Sequence, residues 1–108
     1  MDDFQIKGLE KLINSSVIKE IYPMVDRIEF RYDSDAPKKY RNHELIDIDI
    51  FLNDDSITRD NMYEKEFDPH YLVEHHIRRY SNYFNIKDVV MNFIVWGPDG
   101  SIITSYQN

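Results

Sequence analysis

From His43 to His75 the chain reads HELIDIDIFLNDDSITRDNMYEKEFDPHYLVEH. Ten carboxylates stand in it: Glu44, Asp47, Asp49, Asp54, Asp55, Asp60, Glu64, Glu66, Asp68 and Glu74, against two bases, Arg59 and Lys65. So much acid suits one of three chemistries, or serves only to keep the domain soluble. It can hold a cation, move protons, or attract a basic partner.

The pair Asp47–Asp49 bears on the first. Alternate residues of a strand share a face, so both carboxylates can reach one divalent ion, as in a small metal-dependent enzyme. They can equally form a solvated charge ladder with Arg27 and Arg31, because opposite charges across a strand pair attract. The ladder is the simpler reading, since no Gly-Ser phosphate-binding turn precedes this strand. The histidines do not improve the metal case. A helical ligand pair wants spacing i, i+4, but His70 and His75 are five apart and His75 and His76 point in different directions. His70 and Glu74 alone make a two-ligand, weak site.

Nucleophilic catalysis finds little support. There is no cysteine, so thiolate nucleophiles, thiolate metal sites and disulfides are all excluded. No serine sits in a G-x-S-x-G elbow, and three glycines, Gly8, Gly97 and Gly100, cannot build a G-x-G-x-x-G or Walker cradle. The expectation is a protein that is not an enzyme and needs no cofactor.

The third chemistry fits best. The formal net charge is -7, and residues 44–74 alone carry -8. Regional charge of one sign steers partners of the other. It disfavours nucleic acid, whose phosphates need Lys and Arg. The short basic stretch Pro37–Arg41 reads as a solvated loop tip. Tyr63, Phe67 and Tyr71 are interleaved with the acids, and aromatic anchors of this kind carry much of the affinity at interfaces. The candidate partner-binding set is Asp54, Asp55, Asp60, Tyr63, Glu64, Glu66 and Phe67, with Glu74 at its edge.

Positioning these residues requires a fold, and 108 residues with 42% apolar content suit one domain with a single core. Ile6, Leu9, Ile13 and Val17 recur at helical spacing from Asp3 to about Tyr22. Asn14, Ser15 and Ser16 weaken the middle, and Pro23 ends the helix. Period-two alternation marks strands at Met24–Asp33 and Leu45–Leu52. Residues 53–67 show no clean period, and a loop of that length is usually functional or disordered. Asp68 followed by Pro69 starts a second helix, with Phe67 and Leu72 placed to staple it. Val73, Ile77, Tyr80 and Phe84 form its buried stripe, and it ends near Ser81–Asn85. The nearly continuous apolar run Asp88–Trp96 reads as a central strand. The turn Gly97–Gly100 joins it to a last strand, Ser101–Tyr106. The predicted fold is α+β: an α-β-β-α-β-β order, a four-stranded antiparallel sheet and two helices on one face. The N-terminal residues lack the apolar run of a signal peptide and no stretch spans a membrane, so a cytoplasmic protein with no membrane partner is expected, monomeric or weakly dimeric.

In type, the chain resembles the bacterial toxin-immunity proteins that neutralise colicins or contact-dependent growth-inhibition toxins. It shares their small size, acidity, lack of cysteine, richness in aromatics and α+β pattern. The resemblance implies a basic partner, a nuclease toxin whose active cleft the acidic surface would plug. A nucleic-acid-mimicking inhibitor from a phage or mobile element would use the same acids on another target.

Overall fold

The computed structural model describes residues 2–32 and 44–107; the basic stretch Pro37–Arg41 and His43 lie outside the described residues. The first helix is α-helical over Asp3–Leu12, π-helical over Ile13–Ile18 and α-helical again over Lys19–Ile21. Its start is a capping box. The Asp2 carboxylate accepts from the Gln5 N–H at 2.9 Å, and the Gln5 side-chain oxygen Oε1 accepts from the Asp2 N–H at 2.8 Å. Tyr22 leaves helical geometry just before Pro23, where a proline forbids continuation.

Four strands follow: β1 (Val25–Arg31), β2 (Glu44–Leu52), β3 (Val89–Trp96) and β4 (Ile102–Gln107). They form one sheet in the order β1-β2-β3-β4. β1–β2 and β3–β4 are antiparallel, but β2 and β3 run parallel, Glu44 beside Val89 through Phe51 beside Trp96. This corrects the expectation of an all-antiparallel sheet. The cause is the connection. After β2 the chain spends residues 53–88 on a loop and a helix, and that crossover returns it to the end from which β2 began.

Registers put Ile28, Phe30, Ile46, Ile48, Ile50, Met91, Phe93 and Val95 on one face of the sheet. All are buried in the same cluster as Ile6, Leu9, Ile13 and Val17 of the first helix and Leu72, Val73 and Ile77 of the second. Glu29, Asp47, Asp49, Phe51, Asn92, Ile94 and Trp96 alternate with them onto the opposite face. Where the two helices approach, the Gln5 side-chain amide donates to the Phe84 carbonyl at 2.7 Å. A Cβ at Gly8 would stand 2.5 Å from the Phe84 ring, so only glycine allows this approach.

The second helix runs from Pro69–Tyr71 through a π-helical stretch, Leu72–Ile77, to Arg78–Ser81 and a 3₁₀ turn, Asn82–Phe84. Asp68 caps it as expected, its carboxylate accepting from the Tyr71 N–H at 3.1 Å. Asn85, left-handed at φ 57°, closes it. No helix among the described residues is long and apolar enough to cross a membrane.

Asn14 has a role its sequence position hides. Its side chain accepts from the Ile28 N–H at 2.7 Å and donates to the Ile28 carbonyl at 2.8 Å, while Glu10 accepts from the Phe30 N–H at 2.7 Å. The polar break in the helix therefore acts as a substitute strand, satisfying the free edge of β1. Asn14→Ala is expected to destabilise the fold by about 1–3 kcal/mol, because both Ile28 groups lose their partner. A denaturant midpoint shifted to lower concentration with an unchanged slope would show this; an unmoved midpoint would contradict it.

Candidate functional site

The loop of residues 53–68 is built, despite its lack of period. Ile57, Met62 and Phe67 are buried and act as three pegs into the core. Between them the backbone turns on itself. The Met62 N–H donates to the Thr58 carbonyl at 3.0 Å, the Glu66 N–H to Tyr63 at 3.1 Å, and the Phe67 N–H to Met62 at 2.9 Å. Asn61 binds the Thr58 N–H and the Ser56 carbonyl through its side chain. Glu66 adopts φ 61°. That left-handed residue reverses the chain so that Phe67 drives inward while its own carboxylate stays outside.

The candidate set sorts into three groups. Asp55, Asp60, Glu64 and Glu66 are exposed, and none takes part in an ion pair or side-chain hydrogen bond among the described residues. Asp54 and Glu74 are already engaged. The Asp54 carboxylate accepts from the Ser56 hydroxyl at 2.6 Å and its N–H at 2.9 Å, and the Ser56 hydroxyl bond leads the causes that hold its pKa below the ordinary value. Glu74 lies 3.1 Å from Arg78 one turn on. The third group separates the aromatics. Tyr63 is 56% exposed but Phe67 is 0%. Phe67 is therefore corrected from docking anchor to core residue. It meets the Tyr22 ring edge-on at 6.3 Å.

Other rings take the place vacated by Phe67. Tyr71 is 51% exposed and stacks on His75 at 4.7 Å. Tyr106 of β4 stands beside Tyr63, is the first cause of its raised pKa, and lies 6.2 Å from the His70 ring. Exposed Ile21 adds an apolar end. Sequence reading missed Tyr106 and Ile21 for the partner surface, since only the tertiary fold brings the ends of β4 and the first helix to this loop. Tyr22, Tyr63 and Tyr71 line a hollow of about 350 Å³ with Ile21 and Phe67, and Glu66 and Asp68 add two carboxylates.

The opposite face of the sheet resolves the Asp47–Asp49 pair. Arg31 grips the Asp49 carboxylate with two bonds, at 2.7 and 3.2 Å, and the Trp96 indole N–H donates to it at 3.0 Å. Asp49 is 6% exposed, so these donors satisfy a charge withdrawn from water. Asp47 accepts from the Asn92 side chain at 3.0 Å and lies 3.9 Å from Arg31. The bond to Asp49 is the largest cause of the raised Arg31 pKa. Arg27, expected in the same ladder, instead pairs with Asp26 and Glu29 and lies 4.1 Å over the Phe51 ring. Among the described residues no group of three or more His, Asp or Glu is placed to hold a metal. His76 is buried and its pKa is lowered, by burial first and then by His75 and Arg79.

Comparison with protein-family models, with curated proteins and with solved structures finds no match to this chain.

Burial, with smaller contributions from Tyr71 and Asp68, pushes the Tyr22 hydroxyl up to about 12 from 10.0. The fold thus favours neutral Tyr22, and its contribution to stability is present below pH 10 and lost as pH rises through about 12. Alkaline absorbance titration is expected to show a late-ionising tyrosine that vanishes in Tyr22→Phe; all tyrosines ionising together near 10 would contradict the burial argument.

Proposed function

We propose that this chain is a binding protein that neutralises a basic partner, as an immunity protein blocks the active cleft of its nuclease toxin. One observation carries the reading: four carboxylates with no internal partner, Asp55, Asp60, Glu64 and Glu66, project from a loop pegged to the core beside exposed tyrosines. Several acids elsewhere are engaged within the fold. Asp2 and Asp68 cap helices, Glu10 seals an edge, and Asp49 holds Arg31. Acids left over on an ordered, tyrosine-bearing surface suit a partner that brings the cations.

The division of labour follows from the physics. Long-range attraction speeds encounter and selects the sign of the partner. Tyr63, Tyr71 and Tyr106 supply amphipathic contact area that loses little entropy on docking. Carboxylates would occupy positions that substrate phosphates take in a nuclease cleft, and no chemistry on this chain is required. The proposed place of action is the cytoplasm, where a nuclease meets its substrate.

Genomic neighbourhood tests the reading, because an immunity gene should adjoin its toxin gene. The product of the neighbouring reading frame is expected to arrest growth alone, to be silenced by this chain on co-expression, and to co-purify with it. The triple variant Asp60→Asn, Glu64→Gln, Glu66→Gln is expected to bind it about tenfold more weakly, three rim charges each contributing a fraction of a kcal/mol. A neighbour that is neither toxic nor bound, or a triple variant that binds equally well, would overturn the proposal. Capture of a DNA-binding enzyme unlinked to this gene would favour the nucleic-acid mimic instead.

A further inference from the structure

We infer that the hollow between the acidic loop and the ends of the two helices is a receptor for a guanidinium group, an arginine side chain of the basic partner. The inference rests on the binding-protein reading and deepens it, from a charged surface to a defined subsite. Three tyrosines from three separate elements converge there: Tyr22 after the first helix, Tyr63 from the loop, and Tyr71 from the first turn of the second helix. Glu66 and Asp68 complete the lining. A ring of tyrosines with carboxylates among them attracts a cation twice, through the ring quadrupoles and through formal charge.

Each component is fixed before any ligand arrives. Tyr22 is held edge-on between Phe67 at 6.3 Å and His76 at 5.6 Å. Tyr71 is stacked on His75 at 4.7 Å. Tyr63 stands beside Tyr106, whose side chain is the first cause of its raised pKa. Asp68 spends one oxygen, Oδ1, on the Tyr71 N–H. The Glu66 carboxylate takes part in no hydrogen bond or ion pair among the described residues, although the chain adopts a left-handed conformation to place it at this rim. An anionic ligand is refused by the two carboxylates. The volume, about 350 Å³, is at the small end for ligand sites and fits a side-chain head group rather than a cofactor. Guanidinium suits the lining better than ammonium. It is planar, weakly hydrated, able to stack on aromatic faces and able to fork onto a carboxylate.

The test is an NMR titration of the intact chain at low salt with N-acetyl-arginine N-methylamide, with its neutral isostere from citrulline, and with the lysine analogue. Expected is joint movement of the Tyr22, Tyr63 and Tyr71 ring resonances with the arginine compound, and about tenfold weaker binding of the citrulline compound. Tyr71→Leu and Glu66→Gln, both at exposed side chains, should each weaken the arginine compound several-fold without changing thermal stability. Equal binding of arginine and citrulline compounds, or tighter binding of lysine, overturns the assignment. So does movement spread evenly over Asp55 and Asp60 that persists in Tyr71→Leu. That last result would leave a generally acidic docking surface, and hence the binding-protein reading, intact. Conversely, failure of the neighbouring gene product to bind would remove the reading while the titration still reports on the hollow.

Discussion

The burial of Phe67 is the contact on which the rest depends. It fixes the end of a sixteen-residue acidic loop (53–68) to the same core that carries both helices and the sheet, directly before the Asp68 cap of the second helix. With Ile57 and Met62 as earlier pegs, the loop is anchored to the core at three points. Asp55, Asp60, Glu64 and Glu66 are left facing water. Burying three apolar side chains gains roughly 1.5–3 kcal/mol each, far more than the mutual repulsion of a few screened surface carboxylates costs. The core thereby imposes a charge density that surface electrostatics alone would not favour.

The two faces of the sheet handle acid in opposite ways. Asp49 is withdrawn from water and answered by Arg31 and Trp96, with Asn92 and Arg31 near Asp47. Those charges are consumed in holding β1, β2 and β3 in register. On the loop, Asp55, Asp60, Glu64 and Glu66 are exposed and answered by nothing within the described residues. Tyr63 of the loop, beside Tyr106, and Tyr71 of the second helix, stacked on His75, are ordered without being buried. Order and exposure together are what a docking surface needs, because a side chain fixed in advance loses less entropy on binding.

Much of this was legible in the chain. Period two gave β1 and β2, the unbroken apolar run gave the central place of β3, and Asp68–Pro69 gave the start of the second helix. The hidden parts share a cause. The parallel pairing of β2 with β3 depends on where a 36-residue crossover (53–88) lands, and no local pattern encodes that. Asn14 reads as a helix weakness until Ile28 is seen beside it. Phe67 and Tyr63 carry similar rings in the same loop. Only the left-handed turn at Glu66 sends one inward and leaves the other out. A glutamate at positive φ carries no sequence signal, since glycine or asparagine is the residue such a turn announces. Tyr106 and Ile21 reach the site from distant elements, beyond any pattern of spacing.

The account claims that this surface works by charge steering onto ordered rings. Its most direct measurement is the association rate with the neighbouring gene's product, followed by stopped-flow fluorescence as ionic strength rises from about 0.01 to 0.5 M, over which the screening length shrinks from ~30 Å to a few ångström. A rate that falls steeply, by a factor of about ten or more, with a much smaller change in dissociation, is the result expected of steered encounter. A rate indifferent to salt would contradict it and leave the unpaired acids without a part in recognition.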